Sequence, residues 1–223
     1  MSLSVAVVAL LAGLVIWGVL ASRLTAKPWE APDSREEPEA TPALGLPPAK
    51  VGLWVLLAVI TSLFGLFISA YYMRMEHAHG DWNPVSLPRL LWLNTAVLIV
   101  SSAGMQWARA AARRGQVQSV RVALIAGGLL TWAFIAGQLT AWGELSASGY
   151  LASNPAIAFF YLLTGVHGLH LIGGLFVWTR TVLRLLKPGV EVIDLRLSVE
   201  LCTTYWHYLL LVWLVLFALL LST

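Results

Sequence analysis

Six stretches of the chain, residues 3–22, 51–73, 88–107, 122–142, 155–179 and 198–221, are each apolar over about the 20 residues that a bilayer's hydrocarbon core asks of a helix. A chain with so many can fold only in lipid. Each run is continuously apolar and lacks the alternation of a membrane barrel, so it is expected as a helix. Composition agrees: 59% of the 223 residues are hydrophobic, 11% are charged, and the mean hydropathy is +0.78. The expected fold class is an all-α integral membrane protein with six transmembrane helices.

The few charges assign sides. No Lys or Arg precedes the first run, while Arg23 and Lys27 follow it, which favours a retained anchor with its N-terminus outside over a signal peptide. Residues 27–50 turn to Pro, Glu and Ala around Glu36-Glu37-Pro38-Glu39, a linker too polar to pack. Arg109, Arg113, Arg114 and Arg121 make the most basic loop, and Arg180, Arg184, Lys187 and Arg196 flank another. Residues 143–154 carry Glu144 and no Lys or Arg. Placing the basic connections in the cytoplasm puts both termini in the periplasm. The chain thus divides into an N-terminal transmembrane helix (1–26), a cytoplasmic linker (27–50) and a membrane domain (51–223). A formal net charge of +3 gives nucleic acid nothing to bind, and the lone Cys202 leaves no intrachain disulfide or cysteine cluster.

Polar residues inside the runs are the candidate sites, because lipid penalises an ionisable group that lacks a partner or a cavity. His167 and His170 stand i, i+3 on one helix face, either as hydrogen-bonded interior residues or as ligands or proton carriers. Glu200, Thr203 and His207 share a face that should look inward. Asn94, Ser101 and Ser102 should bond across to a neighbour, Gln138 is the one amide of its run, and Gly65 with Ser69 should let another helix approach. Glu76, His77, His79 and Asp81 fit a metal loop or a solvated connection. His167, His170 and His207 could hold one copper, yet two share a helix turn. No adequate ligand set results, and no catalytic, metal or cofactor-binding residue is expected.

Specific motifs narrow the reading. Gly165-Val166-His167-Gly168-Leu169-His170, then Tyr205-Trp206-His207-Tyr208 and Val212-Trp213, follow Trp82, Pro84, Leu93-Asn94-Thr95 and Ser101-Ser102 in an order that resembles membrane subunit III of haem-copper terminal oxidases, the cytochrome c oxidase family, over residues 51–221. The resemblance implies a five-helix subunit III-like bundle here, with one extra N-terminal helix. In related proteins the helices form two groups around a V-shaped cleft that holds phospholipid. It further implies a bacterial inner-membrane subunit without haem, copper or iron, those cofactors lying in partner subunits. Such a subunit stands beside subunit I and other oxidase subunits, steadies the catalytic one and supports proton uptake. Trp54, Arg74, His207 and Trp213 are expected near lipid head groups, with His167 and His170 as structural polar residues. Two departures stand out: many members carry a glutamate where Ile60 or its neighbours lie, and an aspartate where Leu210 stands. Competing readings are an accessory protein of a nitric oxide reductase and an independent transporter, which would call for broken helices or an internal repeat.

Overall fold

The structure is a computed structural model that describes residues 47–78, 82–83, 87–147, 154–187 and 192–222. It contains α1 (Pro48–Glu76), α2 (Leu90–Arg113), α3 (Val117–Ala147), α4 (Pro155–Leu185) and α5 (Val192–Leu221). Each holds a stretch long and apolar enough to cross a membrane. A helix satisfies its backbone groups internally, which is the condition that hydrocarbon sets. The expected first helix and nearly all of the linker lie outside the described residues. Contacts within the chain set Gly52–Thr223 apart as one compact unit.

The helices outrun the apolar stretches that signalled them. α2 continues past Trp107 to Arg113, α4 reaches Leu185, and α5 begins at Val192, ahead of the expected 198. Hydropathy ends where lipid ends, whereas backbone hydrogen bonding does not. A 31-residue helix such as α3 is about 46 Å long at about 1.5 Å per residue, against about 30 Å of hydrocarbon. The broad basic loop expected after Trp107 therefore contracts to residues 114–116. Gly115 makes that turn possible with φ +72°, a conformation side chains disfavour. Its N–H donates to the Ala112 carbonyl and that of Gln116 to the Ala111 carbonyl, closing the helix end in a Schellman motif.

Both basic connections gather at one end of the bundle. Arg196 donates through Nε and Nη2 to the carbonyls of Ala112 and Arg113 (3.1 and 2.7 Å), tying the start of α5 to the end of α2. Arg121 reaches the Leu185 carbonyl, linking the start of α3 to the end of α4. At the opposite end Asn154 caps α4, accepting from the Ala156 N–H, while its amide donates to the Asn83 carbonyl (2.8 Å).

Between helices, lipid supplies no hydrophobic drive, so close packing and hydrogen bonds hold the bundle. α2 and α3 run closest together. A Cβ on Gly104 would come within 3.5 Å of the Gly127 Cα, and one on Gly137 would strike the Asn94 amide. α5 lies against α2 and α4. α1 stands off, and its seat is made of side chains: Ile60, Phe64 and Tyr71 pack with Leu163, Val212, Leu216 and Leu219. Tyr71 meets Trp82 and Phe159 edge-on at 5.0 and 5.4 Å. The Gly65 and Ser69 expectation fails within the chain, because both are exposed and a Cβ on Gly65 would meet nothing within 4 Å. The close approaches belong to glycines of α3 with their partners and to Gly174 of α4, where a Cβ would lie 2.8 Å from the Tyr205 ring.

Candidate functional site

Polar side chains of α2 face α3 and α5 in a stripe spaced three, four or seven apart, as one helix face requires. Ser101 Oγ lies 2.8 Å from Thr131 Oγ1 and donates to the Gly127 carbonyl, while Trp206 Nε1 donates to Thr131 Oγ1 (2.9 Å). Thr95 Oγ1 accepts from Trp213 Nε1 (3.0 Å) and itself donates to the Leu91 carbonyl. Thr203 Oγ1 bonds the carbonyls of Met105 and Val199. Asn94 Nδ2 donates to the Phe134 carbonyl (3.4 Å). Toward the basic end, His207 bonds Ser102 through Nδ1 and Gln106 through Nε2, and Arg109 meets Glu200 at 2.9 Å. Asn94, Ser101 and Ser102 thus bond across to neighbouring helices as expected.

The six side chains singled out from the sequence go to different places. Trp54 is 61% exposed on α1. Arg74 lies twenty residues further along the same helix, about 30 Å away, so the two cannot share a head-group site. Trp213 is wholly buried, with Phe134 edge-on at 4.9 Å and Phe217 stacked at 6.1 Å. Its place is the protein core, which corrects the expectation of a lipid contact. His207 is half-buried, and its partners are Ser102 and Gln106, not Thr203.

The histidine pair divides. His170 donates through Nδ1 to the Val166 carbonyl (2.7 Å) with its ring tilted against Phe64 at 5.6 Å. His167 is 0% exposed, packed on Trp213 at 5.3 Å and Phe134 at 6.0 Å, and neither ring nitrogen has a hydrogen-bond partner. A three-residue step leaves two side chains about 60° apart around the axis, enough to send them to different neighbours. The three membrane histidines therefore do not converge. Among the described residues no three His, Cys, Asp or Glu side chains form a metal-holding group. His77 Nδ1 is engaged by the Met73 carbonyl, and His79 and Asp81 lie outside the described residues.

One concave feature stands apart from the stripe. Between α3 and α4 a groove of about 230 Å³ is lined by Phe134, Ile135, Gln138, Leu139, Trp142, Thr164, Gly165, Gly168, Leu169 and Ile172. Trp142 Nε1 donates to Thr164 Oγ1 (3.0 Å), which donates to the Phe160 carbonyl. Gln138 is 5% exposed, and neither amide heavy atom has a partner. In the sequence nothing but its being the one amide of residues 122–142 marks it out.

The sequence model of the family described as Cytochrome c oxidase subunit III matches residues 51–222. The chain is 29% identical over 174 residues to cytochrome c oxidase subunit 3 of Thermostichus vulcanus, covering 76% of this chain and 85% of that protein. It is 32% identical over 180 residues to a probable cytochrome c oxidase subunit 3 of Nocardia farcinica, covering 75% and 84%. With quinol oxidase subunit 3 of Bacillus subtilis it shares 26% over 170 residues, covering 75% and 83%.

Proposed function

The chain belongs to the cytochrome c oxidase subunit III family, and on that premise we propose that it is the non-catalytic membrane subunit of a bacterial haem-copper terminal oxidase. It braces catalytic subunit I, holds phospholipid and supports proton uptake. The observation that carries this reading is the match over residues 51–222, which takes in nearly the whole of α1 to α5. The interior stripe supports the bracing role, since its hydroxyls, indoles and His207 are engaged with one another and with backbone carbonyls. Large apolar side chains left exposed on α1, among them Trp54, Leu66 and Met73, suit contact with lipid or with partner helices. At Ile60, 2% exposed, and at Leu210 the chain offers no carboxylate, so any part in proton uptake falls to other groups.

A native pull-down with an absorption spectrum tests the assignment. Haem bands are expected in the complex and not in the isolated chain. An oxidase stripped of this subunit should keep its haem spectrum and initial turnover, but lose activity sooner during sustained turnover. Loss of haem or copper on stripping, or stoichiometric metal on the isolated chain, rejects the non-catalytic role. Copurification with an enzyme that reduces nitric oxide, or isolation without any redox partner, replaces the oxidase assignment.

The proposed placement is a multi-pass protein of the bacterial inner membrane, with a transmembrane anchor at 1–26, a cytoplasmic linker at 27–50 and both termini periplasmic. The basic turn at residues 114–116 then faces the cytoplasm and the α3 end at Glu144 the periplasm. In a Cys202→Ala background, Gln116→Cys should resist an impermeant thiol reagent in intact spheroplasts, whereas Glu144→Cys should react. Equal labelling defeats this orientation.

A further inference from the structure

One edge of α2 is left uncovered beside α5, and its side chains are spaced for another helix. Ala96, Ala103 and Ala110 recur every seven residues with Ile99 and Gln106 between them, so they share one seam along α2. Ala96, Ile99, Ala103 and Gln106 are exposed and Ala110 is half-buried. The seam runs next to α5, because the Trp92 ring at its far end meets Phe217 edge-on at 4.9 Å and Gln106 bonds His207. A seven-residue repeat of small side chains suits a neighbouring helix that crosses at about 20° with its backbone close. Acyl chains need no such repeat.

Gln106 states what the occupant must offer. His207 Nε2 donates to Gln106 Oε1 (3.1 Å) while Ser102 engages Nδ1, so the amide oxygen is used and the amide NH2 has no partner among the described residues. This amide stands inside the charged boundary of the bundle. Gln106 is about 5 Å inward of Arg109 along α2, and the histidine that holds it is about 10 Å inward of Glu200 along α5, where Arg109 and Glu200 pair at 2.9 Å. Lipid phosphates lie at the level of those charges, whereas an exposed amide further in faces hydrocarbon, which penalises it. A second copy of this chain does not answer the need, since a two-fold pairing of the seam sets NH2 against NH2 and Arg109 and Arg113 against their own copies. We infer that the seam docks a transmembrane helix of another subunit, one that lies close along the alanines and presents a hydrogen-bond acceptor to the Gln106 NH2. That partner presupposes the chain's proposed place in a multisubunit oxidase.

A photoreactive leucine in place of Ala103, carried by the full chain in native membranes, should crosslink to one other membrane subunit. Ala103→Leu and Gln106→Leu should each lower the fraction of the chain retained in the solubilised complex, roughly three- to tenfold. Ala103→Leu should leave the unfolding midpoint of the isolated chain in dodecyl sulfate unchanged, because that side chain is exposed in the free chain. If either variant does not fold, the crosslink decides alone. Crosslinks from position 103 to lipid only, to a second copy or to residues 1–46 of the same chain overturn the docking face, as does parental retention of both variants. A crosslinked subunit in a complex without haem bands refutes the oxidase assignment and upholds the docking face. Haem bands with crosslinks to lipid alone do the reverse.

Discussion

Trp206→Ala should cost the bundle about 3 to 5 kcal/mol, on the scale of other buried tryptophan truncations, and release the subunit from its complex in detergents that leave the parent intact. The side chain is 1% exposed and one of the largest enclosed in the chain. Its indole joins three helices: it grows from α5, donates to Thr131 of α3, and lies close enough to α4 that a Cβ on Gly174 would sit 3.3 Å from the ring. In lipid the loss arises mainly from missing contact atoms, since hydrocarbon outside is as apolar as the core. Trp206→Phe, which keeps most of the volume and loses the donor, should cost only about 1 kcal/mol. The measurement is the unfolding midpoint in mixed micelles of rising dodecyl sulfate. Equal and small shifts for both variants would mean that the indole is no keystone.

Gly128→Ala adds one methyl group and should cost about 2 to 5 kcal/mol. A Cβ there would overlap the six-membered ring of Trp178. That indole cannot simply step aside, because its Nε1 donates to the Leu124 carbonyl at 2.8 Å and the ring is 9% exposed. Overpacking accounts for about 1 to 3 kcal/mol, and a donor freed into an apolar interior for a similar amount. Pairing Gly128→Ala with Trp178→Leu should restore part of the loss, so the double variant costs less than the sum of the two single ones. Strict additivity in the same micelle titration would sink the clash as the cause.

These two positions also mark where the sequence was legible. Lipid-length apolar runs announced five helices that the structure contains, and the interior polar residues Asn94, Ser101 and Ser102 declared their need for partners. Helix ends were hidden because Arg109, Arg113 and the residues before Ser198 continue the backbone hydrogen bonding while ending the apolarity. Glycine was ambiguous: Gly65 with Ser69 and Gly128 look alike in one dimension, and only the first faces open space. The tryptophans were equivocal in the same way, since an indole suits both an interface and a core with an acceptor nearby. Trp54 is exposed on α1, whereas Trp213 is buried and found Thr95. His167 misled through its spacing, because one helix turn can serve two neighbours.

The seating of α1 has a consequence for how the protein comes apart. Elsewhere the backbones interlock at glycines and across buried hydrogen bonds, but α1 is fastened by the rings of Phe64 and Tyr71, by Ile60, and by the Thr61 hydroxyl 2.8 Å from that of Tyr208. Regions with few buried contacts open first and most cheaply. On the contacts among the described residues, opening is expected to start at α1 while α2 to α5 hold together. Slow amide exchange should persist in α2 to α5 after α1 has lost its protection.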